Sequence, residues 1–133
     1  MQEVDSVGRP PIRIVIVDDN DLFRSALRDA LVFEGGFEVV GEASDGREAV
    51  TLTRELAPEV VLVDLELPDL SGVETTATIV GECPDVCVVG MSMYEDSTVE
   101  ERLLAAGAAA YVTKDVPIPE LTATIRNALD RSR

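Results

Sequence analysis

The sequence contains no histidine, and this absence removes the commonest general base and the commonest metal ligand of proteins. No apolar run approaches the roughly 20 residues that a membrane-spanning helix needs. Residues 1–11 contain no apolar stretch of the kind found in secretory signals. The two cysteines, Cys83 and Cys87, lack both Cys-x-x-Cys spacing and a second Cys or His cluster, so we interpret them as structural thiols. These absences predict a soluble cytoplasmic protein without a membrane partner.

Positive charge is scarce as well. The sequence has 11 Lys and Arg residues against 26 Asp and Glu residues, which gives a formal net charge of -15 at pH 7. Domains that grip nucleic acid rely on Lys and Arg to neutralise phosphates, so we expect no direct nucleic-acid binding by this domain. Any DNA contact would need another chain or another domain. No glycine-rich loop follows a predicted strand, so we expect no nucleotide site either.

The sequence does contain a regular alternation of strands and helices. A length of 133 residues suits one domain with a normal core. We predict a flexible amino-terminal tail at residues 1–11, a folded domain at residues 12–131 and a carboxyl-terminal end at residues 132–133. The five predicted strands are Ile12–Val17, Phe37–Ala43, Val60–Val63 closed by Asp64, Val86–Met91 and Ala108–Val112. Uninterrupted βα units predict an α/β domain with a five-stranded parallel sheet, and the connection rules favour the flavodoxin-like order 2-1-3-4-5, with the more polar second strand at an edge.

The five predicted helices have recognisable start and stop signals. The start signals are Asn20 or Asp19, then Ser44-Asp45-Gly46, then the capping boxes Ser71/Glu74 and Ser97/Glu100, and finally Pro117 with Pro119. The stop signals of the first four helices are Gly35-Gly36, Ala57-Pro58, Gly81 and Gly107. The apolar faces of the first and last helices consist of Leu22, Phe23, Ala26, Leu27, Ala30 and Leu31, and of Leu121, Ile125, Ala128 and Leu129.

Three carboxylates follow two of the predicted strands directly. Asp18 and Asp19 end the first strand and Asp64 ends the third, and these strands are neighbours in the predicted order. Because the carboxyl ends of parallel strands share one sheet edge, we expect the three side chains to converge there. A carboxylate pair about 4 Å apart repels by about 4 kcal/mol at an effective dielectric near 20, so the site needs positive charge. Helix capping by Asp18 and Asp19 is the alternative interpretation, and it is compatible with a site.

Two kinds of positive charge suit this edge. Mg2+ prefers oxygen ligands from one or two carboxylates, water and phosphate. Lys114 follows the fifth predicted strand and can reach the carboxylates, while Ser92 after the fourth strand adds a hydroxyl. An aspartate facing a metal ion, an ammonium and a hydroxyl is suited to act as a nucleophile on phosphorus, so we predict that Asp64 forms an aspartyl phosphate.

These residues, in this order and at these spacings, resemble the receiver domain of bacterial two-component response regulators. The matching residues are Asp18-Asp19, Asp64 followed by Leu67-Pro68 and Gly72, then Ser92, Tyr111 and Lys114. Leu22-Phe23-Arg24 and Tyr111-Val112-Thr113-Lys114-Asp115 further resemble the NarL-type subgroup, whose members usually have a helix-turn-helix DNA-binding domain after the receiver.

The resemblance implies a set of roles. Asp64 is the phosphoacceptor, and Mg2+, with Mn2+ as a substitute, is bound by Asp19, Asp64 and the backbone carbonyl of Glu66, with Asp18 assisting through water. Lys114, Ser92 and Tyr111 bind the phosphoryl group or change conformation with it, which switches the face formed by the fourth strand, fourth helix, fifth strand and fifth helix. Pro68 and Gly72 shape the loop after Asp64, and Glu66, Met93 and Tyr94 tune the reaction rates. The implied partner is a sensor histidine kinase. Dimerisation is open, and the α4-β5-α5 face and the α1-α5 face are the candidates for it.

Other functions remain open at this stage. A haloacid dehalogenase-type phosphatase needs a second aspartate two residues after the first, where this chain has Glu66. A flavodoxin would place a cofactor phosphate where Asp18 and Asp19 repel it. A degenerate receiver that only binds partners would not need the complete acidic site. The chain ends at Arg133 without room for a DNA-binding domain, so we expect either an excised receiver controlling transcription or a stand-alone receiver that acts by protein–protein interaction.

Overall fold

A computed structural model describes residues 8–132, so residues 1–7 of the predicted tail and Arg133 lie outside the described residues. The five strands are β1 (Ile12–Val17), β2 (Phe37–Ala43), β3 (Val60–Asp64), β4 (Cys87–Ser92) and β5 (Ala110–Thr113). The helices are α1 (Asp21–Glu34), α2 (Gly46–Leu56), α3 (Gly72–Glu82), α4 (Ser97–Ala105) and α5 (Ile118–Ser132). All strand pairs are parallel in the order β2-β1-β3-β4-β5, which confirms the predicted fold class and the edge position of β2.

The sheet separates two hydrophobic cores. In β1, Ile14 and Ile16 face the core that includes residues of α1 and α5, whereas Val15 and Val17 face the core that includes residues of α2, α3 and α4. All residues of β3 are buried, as expected of a central parallel strand covered on both faces. Burial on both faces explains why the sequence of β3 is a run of aliphatic residues and does not alternate between polar and apolar ones.

The parallel register aligns the ends of the central strands. Val17 of β1 lies opposite Val63 of β3, so the next residue on each strand is an aspartate, Asp18 and Asp64. Asp64 in turn lies opposite Met91 of β4. The polar residues that follow these strands therefore meet at one edge of the sheet.

The helix starts agree with the predictions in part. Asn20 caps α1 by accepting a hydrogen bond from the Phe23 N–H at 2.9 Å. For α4 the predicted capping box at Ser97 is wrong, because Asp96 is the N-cap and accepts from the N–H groups of Thr98 and Val99. An aspartate one residue before the serine is an equally good cap, and it starts the helix one residue earlier in the pattern.

Two other expectations need correction. The last strand begins at Ala110 instead of Ala108, since the N–H of Ala108 still bonds to the Leu103 carbonyl in the turn that ends α4. Leu22, which is 82% exposed, and Ala26, which is exposed as well, do not join the inward face of α1, because residues four apart share one side of a helix and this side faces away from the sheet. Within the described residues, no helix is both long and apolar enough to span a bilayer.

Candidate functional site

Three strand ends bring the candidate site together. Asp18 follows β1, Asp64 ends β3 and Lys114 follows β5. The Lys114 N–H donates to the Ser92 carbonyl at 2.7 Å, which fixes the chain after β5 against the end of β4. Each functional side chain is thus attached to a rigid strand end, the placement that gives a site its precision.

Asp18 is 2% exposed, and its polar atoms all have partners. Its N–H donates to the Ala43 carbonyl of β2 at 3.0 Å. One side-chain oxygen accepts from the Asn20 N–H at 2.8 Å, and the other lies 2.7 Å from Lys114 Nζ. Asp18 therefore has two roles: it stabilises the turn that leads into α1, and it forms a buried ion pair with Lys114.

Lys114 is the only lysine of the sequence, and it bridges two carboxylates. Its Nζ lies 2.7 Å from Asp18 Oδ2 and 3.2 Å from Asp64 Oδ2, and its side chain is 10% exposed. The ammonium also lies 4.6 Å from the centre of the Phe23 ring, within the range of a cation–π interaction. Burial alone would lower the pKa of Lys114, but the hydrogen bond to Asp18 and the charge of Asp64 raise it, so the amine stays protonated.

Asp64 is 5% exposed at the end of β3. Burial and the charge of Asp18 raise its pKa above the usual value, although the Glu66 N–H at 3.1 Å from Oδ1 and the ammonium of Lys114 oppose the shift. The surroundings of Asp64 therefore disfavour the negatively charged form of its side chain. Any additional positive charge at this position would be bound favourably.

Asp18, Asp19 and Asp64 form a cluster that we call the acidic cluster. One carboxylate oxygen from each residue lies within 4.8 Å of the others, and Asp19 is exposed while the other two are buried. Three carboxylates at this spacing suit a hard divalent cation, which takes oxygen ligands and keeps several waters through an open side. The donor set, including the buried and mutually repelling pair of Asp18 and Asp64, fits Mg2+ or Mn2+.

Ser92 and Tyr111 contact the same peptide segment beyond β4. Ser92 is buried, and its hydroxyl oxygen accepts from the Tyr94 N–H at 3.4 Å. The Tyr111 hydroxyl donates to the Tyr94 carbonyl. Met93 and Tyr94 themselves are 59% and 71% exposed, beside the acidic cluster rather than in it. The segment after Ser92 is therefore attached to both candidate switch residues.

Gly72 allows the loop after Asp64 to close tightly. A Cβ at Gly72 would lie 2.5 Å from the Leu65 Cα and 2.7 Å from the Asp64 carbonyl oxygen, both backbone atoms. The Gly72 N–H donates to the Leu65 carbonyl at 3.0 Å. Only glycine permits this approach, which brings the start of α3 against the end of β3. Pro68 and Glu66 lie exposed in the same loop.

Asp69 joins this loop to α2. Its two carboxylate oxygens accept from the Gly46 N–H at 2.7 Å and the Arg47 N–H at 3.0 Å, while Asp45 caps Glu48 at 2.8 Å. Desolvation would raise the pKa of Asp69, but the hydrogen bonds from Gly46, Leu70 and Arg47 lower it to about 2. The carboxylate therefore connects the loop after Asp64 to the first turn of a neighbouring helix.

Two of these structural residues were not identified from the sequence. Arg24 donates to the Asp18 carbonyl at 2.6 Å, and Asp69 caps α2 across 23 residues of chain. Both contacts depend on tertiary placement, which helix and strand periodicity does not report. The sequence signal for the contact between Asp69 and α2 is weak: it offers Asp69 in a nearby loop as a second possible cap, although Asp45 already caps the helix.

Comparison with known proteins identifies close relatives. The family model of the response regulator receiver domain matches residues 14–126. Response regulator GacA of Pseudomonas viridiflava is 40% identical over 115 residues, which cover 86% of this chain and 54% of GacA. Transcriptional regulatory protein DegU of Brevibacillus brevis is 34% identical over 122 residues, which cover 92% of this chain and 52% of DegU. The chain thus spans about half the length of the curated relatives it matches.

Solved structures agree with this match. The signal receiver domain of the response regulator NarL from Mycobacterium tuberculosis has a TM-score of 0.86 at 29% identity, covering 90% of this chain and 97% of that one. A two-component response regulator of the LuxR family from Aurantimonas has a TM-score of 0.87 at 34% identity, covering 92% of this chain and 88% of that one. Both similarities extend over almost the whole described domain.

Proposed function

Because the chain belongs to the response regulator receiver domain family, we propose that Asp64 accepts a phosphoryl group from a sensor histidine kinase. The observation that best supports this role is the position of Asp64, a buried carboxylate that belongs to the acidic cluster and also contacts the ammonium of Lys114. In the transfer, the P–N bond of the phosphohistidine breaks while a carboxylate oxygen of Asp64 bonds to phosphorus. The imidazole leaves with the electron pair and is protonated.

The acidic cluster and the Glu66 backbone carbonyl would hold the Mg2+ that this reaction needs, with Asp18 acting through water and with Mn2+ as a substitute. The ion would neutralise charge on the transferring phosphoryl oxygens. Lys114 supplies a second positive charge, since its Nζ lies 3.2 Å from Asp64 Oδ2. The raised pKa of Lys114 keeps that charge in place throughout the physiological pH range.

Phosphorylation replaces the single negative charge of the Asp64 carboxylate with up to about two negative charges on the phosphoryl oxygens, and this change is the signal that the switch detects. The Ser92 hydroxyl contacts the Tyr94 N–H, and the Tyr111 hydroxyl contacts the Tyr94 carbonyl. When Ser92 turns toward the phosphoryl group, it leaves the Tyr94 peptide, and Tyr111 then changes rotamer. This coupling would alter the face formed by β4, α4, β5 and α5.

The output of the switch is proposed from the relatives. DegU is described as a transcriptional regulatory protein, and it is about twice the length of the matched region. We propose that this receiver also controls transcription, through a DNA-binding domain outside the present chain, since a net charge of -15 does not favour DNA contact by the receiver itself. The alternative is a stand-alone receiver that acts by protein–protein interaction. A gene product that continues past Arg133 into a DNA-binding domain would favour the first output.

The proposal places the domain in the cytoplasm, where ATP supplies a kinase with phosphoryl groups. It also makes the domain a phosphoacceptor that dephosphorylates itself, and not a multiple-turnover enzyme. A phosphatase would release many equivalents of p-nitrophenol from p-nitrophenyl phosphate, whereas a receiver would release at most a small stoichiometric amount. Sustained turnover by the wild-type chain would support the phosphatase alternative.

Self-association is a further part of the proposal, through either the α1-α5 face or the α4-β5-α5 face. Phe33 and Val32 at the end of α1 are 92% and 58% exposed, whereas Leu104 on α4 is 43% exposed. Sizing the protein with beryllofluoride and Mg2+ tests both faces. If Phe33→Glu abolishes dimers and Leu104→Glu does not, the α1-α5 face is supported. The reverse result supports the α4-β5-α5 face, and a monomer under all conditions contradicts self-association.

The phosphoacceptor proposal itself is tested by mass spectrometry of the intact chain after incubation with acetyl phosphate and Mg2+. We expect one hydrolysable phosphoryl adduct on the wild-type chain and none on Asp64→Asn, which keeps the size of the side chain. Asp69→Asn is the matched control, since it changes an aspartate of the same loop outside the acidic cluster. An adduct that persists in Asp64→Asn would contradict the proposal.

A further inference from the structure

Arg24 lies in the first turn of α1 with its side chain 16% exposed. All three guanidinium nitrogens donate: Nη1 to the Asp18 carbonyl at 2.6 Å, Nη2 to Asp21 Oδ1 at 2.7 Å and Nε to Glu42 Oε1 at 3.0 Å. The planar fork of arginine is required for this geometry, because the three acceptors bond to three separate nitrogens and the one nitrogen of a lysine would not lie within hydrogen-bond distance of all of them. Arg24 therefore links α1, β2 and the end of β1.

The contact with Asp18 is to the carbonyl oxygen of the peptide that joins Asp18 to Asp19. The other polar atoms of Asp18 are fixed by the N–H of Asn20, by Lys114 and by a backbone carbonyl of β2. Arg24 holds the remaining atom, and so fixes the plane of the peptide that precedes Asp19. The orientation of this plane sets the direction in which the Asp19 side chain leaves the backbone.

Glu42 keeps the guanidinium in this position. It lies on β2 opposite Ile16 of β1, and its second oxygen accepts from Arg28 Nη1 at 3.0 Å. Arg28 is 40% exposed and is bonded to Glu42 and the neighbouring Asp29. Glu42 therefore connects Arg24, which is mostly buried next to Asp18, with the more exposed Arg28 farther along α1.

We infer that Arg24, held by Glu42, is a positioning residue for divalent-cation binding by the acidic cluster. Asp19 is the exposed member of the cluster, and repulsion from the buried carboxylates favours its displacement into solvent. Because Arg24 fixes the peptide before Asp19, the Asp19 side chain loses less conformational freedom when the ion binds. Residues that orient metal ligands in this way strongly affect metal affinity. The inference rests on the proposed function, because it concerns the cation that the acidic cluster would bind there.

The test measures Mn2+ affinity from the electron paramagnetic resonance signal of the free ion, together with urea unfolding of each variant without metal. We expect Arg24→Gln to weaken Mn2+ binding about tenfold in the folded protein. Arg28→Gln is the matched control, because it removes a contact to the same Glu42 but none to Asp18, and we expect its affinity within about twofold of wild type. Arg24→Lys keeps the charge but loses the fork, and we expect it to remain weakened.

The outcomes separate this inference from the proposed function. A wild-type chain that does not bind Mn2+ would contradict both. Wild-type affinity in folded Arg24→Gln, equal weakening in Arg28→Gln, or full restoration in Arg24→Lys would overturn the positioning role alone, since stability or charge would then explain the data. If Arg24→Gln does not fold, Glu42→Gln replaces it against the same control, and unchanged affinity in that variant overturns the inference.

Discussion

Replacing Lys114 by methionine tests how strongly the ammonium stabilises the buried carboxylates. Methionine keeps most of the aliphatic length of the side chain but removes its charge. At an effective dielectric of about 20, the contacts at 2.7 Å and 3.2 Å correspond to gross attractions of about 6 and 5 kcal/mol. Asp18 and Asp64, with oxygens within 4.8 Å, then repel by at least about 3.5 kcal/mol at the same dielectric.

Desolvation of the ammonium offsets much of this attraction. Removing one partner of a buried ion pair usually costs about 3–5 kcal/mol, so we expect a loss of that size in the free energy of unfolding of Lys114→Met at neutral pH without metal. Mg2+ at about 100 times its Kd stabilises a single site by about 2.7 kcal/mol, and it should stabilise the variant more because the carboxylates lack their other counter-charge. The deficit should therefore shrink when Mg2+ is added.

The deficit should shrink in acid as well. The pKa of Asp64 is raised in the folded protein, so above this raised pKa the ionised carboxylate lowers the stability of the fold. This loss of stability disappears once the pH falls below the usual pKa of an aspartate. Loss of Lys114 raises this pKa further. The pKa of Lys114 is itself raised, so the stability that the lysine contributes is fully present at neutral pH and is lost only in strong base.

Urea unfolding at about pH 7.5 and about pH 5, with and without Mg2+, measures all of these changes. Arg54→Met is the control, because Arg54 pairs with Glu82 at 2.9 Å on the surface, where both side chains are about half exposed. A surface pair of this kind contributes under about 1 kcal/mol. The reasoning is refuted if Lys114→Met costs no more than the control, or if its deficit is the same in all four conditions.

Three other substitutions test local features of the structure. Asp69→Asn should lower stability at neutral pH and reduce the pH dependence of unfolding between about pH 4 and pH 2. Because the pKa of Asp69 is lowered in the folded protein, the stability that its carboxylate contributes is present above the usual pKa and is lost in acid. Urea titrations at several pH values measure both changes. Gly72→Ala should cost about 2 kcal/mol, since the new Cβ meets backbone of Leu65, and a thermal shift under about 2 °C would contradict the close approach. Ala57→Gly should raise the free energy of unfolding by about 0.5–1 kcal/mol, because Ala57 has φ 47° at the end of α2; a loss of stability in urea would show that this conformation is not strained.

Much of the fold was predictable because its strands and helices follow local patterns. The aliphatic run of β3 ends in Asp64, and the register of parallel strands then requires Asp18 to lie beside it. The start of α4 is predicted one residue late because Asp96 and Ser97 are both good caps, and sequence alone does not choose between adjacent candidates. Leu22 fits an apolar helical face by spacing, yet it lies on the side of α1 that faces away from the sheet.

The supports of the site were less predictable than its central residues. Asp64 and Lys114 are recognisable because each directly follows a strand. Arg24 and Asp69 act through partners 18 and 23 residues away in sequence, Glu42 and Gly46. Such pairings depend on how the loops pack, and neither periodicity nor composition contains that information.

Borohydride trapping tests the central claim most directly. After incubation with acetyl phosphate and Mg2+, the reagent reduces an aspartyl phosphate to homoserine, and trypsin then releases residues 55–102 as one peptide because no Lys or Arg lies between Arg54 and Arg102. The account predicts a single homoserine, at position 64, in tandem mass spectra of this peptide. Homoserine at Asp69, Asp85 or Asp96 instead, or no conversion at all while the protein is folded and Mg2+ is present, would contradict it.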